Sequence, residues 1–231
     1  MPLALFAALS VPKTIGLHWL FAFVPLAWVL AAMVLTRAQL ALNLKVMTWI
    51  SIAHLAALAV IAVLPIETWA RLRIYDGLVL TVKADEVLAP LAPYRDDFTF
   101  ASDSYSNAVT FGFNAKRYFA VFGRASTHAR HDDIRTDFRR LAGRNILILR
   151  KSPPPPSDYE PFFDAVEYRR FMVRGATFHI VLGRGFQYER YRDQVLTAIR
   201  DEFYRIPAFL PQRACYFCER YFGATSCPVR S

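Results

Sequence analysis

The densest group of chemically versatile side chains lies at residues 128–137. It holds the imidazoles of His128 and His131 and, beside them, the carboxylates of Asp132 and Asp133. Imidazole nitrogen and carboxylate oxygen are ligands of zinc and manganese, so a divalent metal is one interpretation. No third ligand can be identified elsewhere in the sequence, and a capped helix start with surface ion pairs is the other interpretation. We therefore expect no cofactor, with a divalent metal as the alternative.

Further polar side chains follow the first predicted strand of the chain, at Asp103 and Tyr105. Ligands of open α/β sheets bind beyond the carboxyl ends of the strands. Aspartate accepts hydrogen bonds from sugar hydroxyls, arginine binds phosphate or carboxylate with two N–H groups, and tyrosine stacks on a sugar ring. The predicted ligand pocket consists of Asp103, Tyr105, Arg130, Asp132 and Asp133, and no residue is assigned a catalytic role.

All three cysteines lie near the carboxyl end of the sequence, at Cys215, Cys218 and Cys227. A C-x-x-C pair can be redox-active, contribute half of a zinc site or form a disulfide, and three thiols leave one over. We expect a bridge from Cys227 to Cys215 or Cys218 in an oxidising compartment, with free thiols as the alternative.

Charged residues divide the chain at Glu67, its first acidic residue. The 66 residues before it carry only Lys13, Arg37 and Lys45 as charged side chains, for a net charge of +3. All 19 Asp and Glu residues lie in the second part with 25 Lys and Arg, for a net charge of +6. This division predicts a membrane anchor that carries a water-soluble domain.

The predicted anchor covers residues 1–66 and contains two apolar stretches, at 15–35 and 46–64. Each is close to the roughly 20 residues that cross a bilayer, so we expect a membrane α-hairpin of two transmembrane helices. Residues 36–45 are the predicted polar linker. A signal peptide is disfavoured for the first stretch because such peptides have apolar cores of about 7 to 15 residues. Membrane lipid is therefore an expected partner.

The soluble part, residues 67–231, is predicted to be one α/β domain, since strand-like and helix-like runs alternate along it. Predicted strands lie at 98–101, 118–122, 146–149 and 177–182. Predicted helices lie at 105–113, 132–141, 159–166 and 188–204. The last helix has one apolar face, which predicts packing on a sheet. The four prolines at 153–156 predict a stiff surface loop.

The high sequence pI of about 9.7 raises the question of nucleic-acid binding. Basic residues are scattered among acidic ones rather than gathered in a run, and the chain is predicted to be membrane-anchored. Anionic lipid headgroups, lipid-linked phosphates or acidic glycans are therefore expected as partners, and nucleic acid is not. The sequence also lacks the Gly-x-Ser-x-Gly elbow of a self-contained hydrolase.

Several stretches resemble bacterial glycosyltransferases that use polyprenyl-phosphate sugars, the relatives of protein O-mannosyltransferases and of the aminoarabinose transferase that modifies lipid A. The late membrane helices of that family resemble PKTIGLHW at 12–19 and FAFVP at 21–25. Its extracytoplasmic carboxy-terminal domain resembles ASDSYS at 101–106, RHDD at 130–133 with TD at 136–137, and GRNI at 143–146. The resemblance covers most of the chain.

This resemblance implies a many-helix membrane enzyme with acidic catalytic residues in an early extracytoplasmic loop. No acidic residue precedes Glu67, so we expect a carboxy-terminal portion that lacks the catalytic loop, is inactive alone and works with a separate many-helix catalytic chain. The resemblance also implies the bacterial inner membrane, a periplasmic soluble domain and a lipid-linked sugar or glycan as partner. The alternative is a two-span anchored periplasmic binding or scaffold protein without catalytic activity.

Overall fold

The computed structural model of the chain describes residues 21, 23–124, 131–204, 206–207, 215–223 and 229–230. Side chains are described for these residues except at positions 131, 132, 206, 207, 229 and 230. The chain divides into two compact units, Met1–Pro65 and Ile66–Ser231.

The first unit contains two helices, α1 at Val24–Val34 and α2 at Arg37–Val63. Among the described residues, α2 is the one helix long and apolar enough to cross a membrane, with 27 residues and a mean hydropathy of 2.2 over its best window. That finding concerns length and composition. The shorter α1 has 11 apolar residues. Of the nine residues of the predicted first span that precede α1, seven lie outside the described residues. The second crossing remains a prediction.

The predicted linker at 36–45 is wrong, because α2 begins at Arg37. Thr36 and Gln39 form a capping box that starts the helix. The backbone N–H of Gln39 donates to Thr36 Oγ1 at 3.3 Å, and the backbone N–H of Thr36 donates to Gln39 Oε1 at 2.9 Å. Two N–H groups that have no partner inside the helix are thereby satisfied. The polar residues from Arg37 to Lys45 therefore lie in a helix rather than a turn.

The second unit alternates helices and strands. Its α-helices are α3 at Tyr75–Val82, α4 at Ala84–Leu88, α5 at Tyr105–Ala115, α6 at His131–Arg135 and α8 at Tyr216–Phe222. Between α6 and α8, α7 is α-helical at Tyr188–Tyr191 and Thr197–Phe203, with a π turn at Arg192–Leu196. Short 3-10 helices lie at Ile66–Trp69, Ala89–Tyr94, Phe138–Leu141, Pro156–Asp158 and Glu160–Phe162.

The main sheet has five strands in the order β2-β1-β3-β5-β4. They are β1 at Thr99–Ser102, β2 at Ala120–Val121, β3 at Ile146–Arg150, β4 at Phe163–Val173 and β5 at Ala176–Phe186. The first three are parallel, and β5 runs antiparallel to both β3 and β4. A two-stranded pair, β6 at Ile206–Pro207 and β7 at Val229–Arg230, is separate. The α/β prediction for this domain is confirmed.

The sheet is covered on both faces, as β3 shows most directly. Ile146 and Ile148 belong to one core cluster, whereas Leu147 and Leu149 belong to the other, and all four are fully buried. Helices α7 and α8 contribute to the first cluster, and α3, α4 and α5 contribute to the second. A strand buried on both faces reads as a continuous apolar run, which is why its position was predictable.

The predicted helix at 159–166 is wrong. Tyr159, Phe162, Phe163 and Val166 have the i, i+3, i+4, i+7 spacing of a helix face. The chain instead passes through a 3-10 turn into β4, which pairs with β5 along almost its whole length. The ladder of hydrogen bonds with β5 outweighs the local helical pattern, which has no caps to support it.

The predicted helix at 132–141 is divided into α6 and the 3-10 helix Phe138–Leu141. Asp137 separates the two helices. Its Oδ1 accepts a hydrogen bond from the backbone N–H of Arg139 at 3.2 Å and so caps the start of the 3-10 helix. Gly143, with φ of +70°, then stops that turn as the sequence predicts. The helices predicted at 105–113 and 188–204 are confirmed as α5 and α7.

Candidate ligand-binding site

A candidate site lies at the carboxyl ends of the three parallel strands. Since β1 is between β2 and β3, these ends meet at one edge of the sheet. The connection from β1 to β2 contributes Phe111 of α5 to one face, and the connection from β2 to β3 contributes Phe138 to the other. The connection after β1 therefore runs toward β2 on one face, whereas the connection after its neighbour β3 runs in the opposite direction toward β4, with Phe162 on the other face. This is a topological switch point, where open α/β sheets bind ligands.

Arg150, the last residue of β3, is the centre of the polar cluster at this edge. Its side chain is only 11% exposed. Nε lies 3.0 Å from Asp103 Oδ2, Nη1 donates to the Tyr159 hydroxyl at 2.6 Å, and Nη2 donates to Ser152 Oγ at 3.1 Å. Asp158 Oδ2 is 3.9 Å from Nη1. One guanidinium thus fixes side chains from three segments of the chain.

The Nε–H group of Arg150 is not directed at the carboxylate that lies beside it. The atom is buried, and among the described residues it has no acceptor with hydrogen-bond geometry, although Asp103 is within ion-pair distance. Buried donors without an acceptor are rare in folded proteins. Charge attraction to Asp103, rather than a well-aligned hydrogen bond, therefore accompanies this buried atom.

Tyr159 presents a neutral hydroxyl to the same cluster. Burial raises the pKa of Tyr159 to about 12, and the neighbouring positive charge of Arg150 acts in the opposite direction. The phenol is therefore protonated at neutral pH. Its oxygen accepts from Arg150, and its proton has no acceptor among the described residues, so it can be donated to a ligand.

A cavity of about 400 Å³ opens beside these residues. This volume lies within the usual range of small-molecule sites. Phe122, Phe162 and Val195 form apolar parts of the wall. The polar lining consists of Asp103, Gly123, Arg124, Arg150, Ser157, Asp158, Tyr159 and Gln194. Two arginines and two aspartates balance one another in charge, so the site favours a polar ligand of low net charge.

Two backbone features shape the cavity wall. Gly123 follows β2 with φ of +88°, a region that side-chain-bearing residues rarely adopt, and its N–H donates to the Tyr191 hydroxyl at 2.8 Å. Gln194 and Val195 lie in the π turn of α7, where the backbone N–H of Thr197 reaches back to the carbonyl of Arg192. Single π turns inside helices are frequent at functional sites.

The predicted pocket residues are only partly brought together. Asp103 lines the cavity, as expected from its place after β1. Tyr105 lines a different groove on α5. Arg130 lies outside the described residues, and so does the side chain of Asp132.

Asp133 belongs to another polar network and is not among the residues that line the cavity. The Tyr204 hydroxyl donates to Asp133 Oδ2 at 3.0 Å and shares a hydrogen bond of 2.6 Å with the Tyr216 hydroxyl. Burial is the largest cause that raises the pKa of Tyr204, so this phenol is neutral. Asp133 therefore links α6 to Tyr204 at the end of α7 and, through Tyr204, to Tyr216 of α8.

Sequence reasoning missed the central residues Arg150, Asp158 and Tyr159. A signal was present, because Arg150 is the charged residue that ends the apolar run of β3, at the edge where ligands bind. The stiff loop with the four prolines then returns the chain to the same edge, which brings Asp158 and Tyr159 beside Arg150.

The cysteine and metal predictions concern other parts of the domain. Cys218, in α8, forms a disulfide, whereas Cys215 carries a thiol. Cys227 lies outside the described residues. Across the ranges that the structure describes, no three His, Cys, Asp or Glu side chains are grouped as a metal site would require.

Comparisons with known proteins found no match. No protein-family model, curated protein or solved structure matches this chain. The functional interpretation therefore depends on the cavity and on the residue patterns of the sequence.

Proposed function

We propose that the domain at Ile66–Ser231 binds a sugar unit in the Arg150 cavity. We further propose that the chain is the carboxy-terminal, recognition portion of a membrane glycosyltransferase that uses a lipid-linked sugar donor and is inactive alone. The observation that carries the proposal is the cluster of Asp103, Arg150, Asp158 and Tyr159 at the switch point of the sheet.

The arrangement of donors and acceptors suits hydroxyl groups. A sugar hydroxyl both donates and accepts, and the lining offers carboxylate acceptors at Asp103 and Asp158 and a phenol donor at Tyr159. Arg124 and Gln194 add donors at the more exposed side. The balanced charge of the lining supports a neutral sugar over a multiply charged ligand.

Other features support the cellular setting of the proposal. The apolar helix α2 supports membrane attachment. The Cys218 disulfide supports an oxidising compartment such as the periplasm. The sequence resemblance supports the bacterial inner membrane and a lipid-linked sugar as partner.

Sugar binding by the full chain in lipid nanodiscs tests the proposal. Saturation-transfer NMR with a panel of monosaccharides and their glycosides should identify a bound sugar. Asp158→Asn should weaken its binding about tenfold, because a charged acceptor is replaced by a weaker neutral one and the second carboxylate oxygen by an NH2 donor. Asp193→Asn is the matched control, since Asp193 is exposed and next to Gln194 but does not line the cavity. Equal affinity of both variants would exclude this cavity as the site.

Purification of the tagged full chain in mild detergent distinguishes the two proposed settings. A co-purifying many-helix membrane protein with an acidic extracytoplasmic loop, identified by mass spectrometry, would support a divided glycosyltransferase. Sugar binding by a chain that purifies alone would instead favour the anchored periplasmic binding protein.

A further inference from the structure

A second hollow, the α5 groove, is lined by helix α5, by residues of the segment 116–121 and by Arg135, and it has a volume of about 380 Å³. Tyr105, Val109 and Phe113 follow one another at intervals of four residues and therefore lie on one helix face. Val109 is 51% exposed and Phe113 is 72% exposed. The opposite face of α5 packs into the core through Phe111, whereas the buried Ala108 lies beside the stripe and lines the groove. Val109 and Phe113 belong to neither core cluster of the described residues.

The charged residues of the α5 groove all have the same sign. Lys116, Arg117 and Arg135 line it, and the described lining contains no carboxylate. Arg117 Nη1 donates to the carbonyl of Arg95 at 2.7 Å. The Lys116 ammonium lies 4.2 Å from the centre of the Phe113 ring. These contacts with a carbonyl dipole and a ring orient the cations and leave their positive charge uncompensated by any carboxylate of the lining.

Lys116 also has an unusual backbone conformation at the end of α5. Its φ is +50°, in the left-handed region, and it serves as the carboxy-terminal cap of the helix. Glycine or asparagine is the usual residue at such a position. A cation therefore lies beside the exposed Phe113 at a position where glycine would favour the fold.

We propose that the α5 groove docks on an anionic lipid bilayer, a function beyond sugar binding in the Arg150 cavity. A helix face with exposed apolar and aromatic side chains, flanked by cations, is typical of segments that lie at a membrane surface. Anionic headgroups complement the three cations, and the interfacial region accommodates Val109 and Phe113. A soluble anion would use only the charges. The same chain contains α2, which is long and apolar enough to cross a membrane, and this favours a bilayer as the anionic surface.

Hydrogen–deuterium exchange of the full chain in nanodiscs tests the proposal. One preparation contains phosphatidylcholine alone, and the other also contains phosphatidylglycerol. We expect amide exchange in residues 105–117 to be at least about fivefold slower with the anionic lipid, a factor that one basic side chain near such a surface supplies. Exchange in the exposed edge strand β4 should be the same in both preparations.

Paired substitutions show whether the α5 groove itself causes the slower exchange with anionic lipid. Phe113→Ser with Lys116→Gln should abolish the difference between the two lipids, and the single substitution Arg135→Gln should reduce it. The matched control is Met172→Ser with Arg170→Gln, which changes an equally exposed apolar residue and a cation on β4. This control should keep the full difference. Circular dichroism confirms that each variant is folded before exchange is compared.

Three outcomes would overturn the proposal. Equal exchange of residues 105–117 in both lipid compositions would show that anionic lipid is not recognised. The same slowing by inorganic phosphate in neutral detergent would show that a soluble anion suffices. A loss of the lipid effect in the β4 control variant would place the docking surface elsewhere. None of these outcomes depends on whether the Arg150 cavity binds a sugar.

Discussion

The Arg150 cavity and the α5 groove are two hollows of similar volume in one domain, and both combine arginine with aromatic rings. They differ in what the arginines contact. Arg150 lies against Asp103 and Asp158, so its charge is balanced within the cavity. Arg117 donates to the carbonyls of Arg95 and Phe98, Arg135 lies over the ring of Tyr118, and no described carboxylate lines the groove beside them. The partners of an arginine, more than its presence, indicate which ligand a site accepts.

The phenylalanines of the two hollows should differ most in their effect on stability. Phe122 is 2% exposed, and its ring centre lies 4.8 Å from that of Tyr191 and 5.6 Å from that of Phe163. Phe122→Ala should lower the free energy of unfolding by about 3 to 5 kcal/mol. Phe113→Ala should change it by about 0.5 kcal/mol or less, because the ring is largely exposed.

Urea unfolding of the full chain in nanodiscs, followed by near-ultraviolet circular dichroism, measures this difference between Phe122 and Phe113. If Phe122→Ala does not fold, Phe122→Leu provides a milder test with the same direction. Similar losses for the two alanine variants would contradict the contrast between a structural cavity and an exposed groove.

Substitution of Arg150 and of Arg135 should also differ in its effect on the free energy of unfolding, but by a smaller amount. Arg150→Gln leaves Asp103 partly buried without its counter-charge and should cost about 2 to 4 kcal/mol, somewhat below the value for a fully buried pair. Arg135→Gln should cost about 1 kcal/mol or less. The double variant Asp103→Asn, Arg150→Gln, studied by the same urea unfolding, should lose less than the sum of its single variants. Additive losses would mean that the two side chains are not coupled.

Acidification should lower the stability of the domain through His179, a neighbour of Arg150 in the sheet. This residue of β5 is directly opposite Arg150 on β3 and Arg170 on β4. Burial, and then these two positive charges, lower the pKa of His179 below its ordinary value of 6.5. The unfolded chain therefore takes up the proton first, so the stabilising contribution is complete above about pH 6.5 and is lost as the pH falls through the lower folded pKa.

Unfolding measured between about pH 7 and pH 5 tests the contribution of His179. Wild type should lose stability over this range, and His179→Gln should lose less. Phe113→Ala should follow the wild-type profile, because no histidine is among the described residues of the α5 groove. An identical pH dependence of wild type and His179→Gln would exclude this histidine as the cause.

The positions of β1 and β3 could be predicted from the sequence more fully than the side chains that meet at their carboxyl ends. The apolar run of β3 and the caps of α5 are local signals, so Asp103 could be placed at the correct edge. Arg150 was not recognised because a charged residue at the end of a strand resembles a surface residue until its partners are known. The contacts of Asp158 and Tyr159 with Arg150 depend on a tertiary arrangement that spacing does not reveal.

The β4–β5 hairpin shows the same limit for a whole element. Its turn consists of Arg174 and Gly175, with φ of +52° and +83°, and a nonglycine residue there is unfavourable on local grounds. Contacts with Glu86 and Glu67, far away in the sequence, hold Arg174 in place. Tertiary bonds therefore stabilise a turn that local propensity disfavours.

Arg174 also gives the domain a mechanical connection between distant parts of the chain. Its guanidinium binds Glu86 at 2.8 Å and 3.0 Å and Glu67 at 3.2 Å. Tension that enters the domain along the chain from α2 reaches Glu67 within a few residues of Pro65. Part of that load passes directly to the hairpin and so to β5, which lies beside β3 in the middle of the sheet. A pull on the first residues of the domain would thus reach the sheet through Arg174 as well as through the short helices that precede β1.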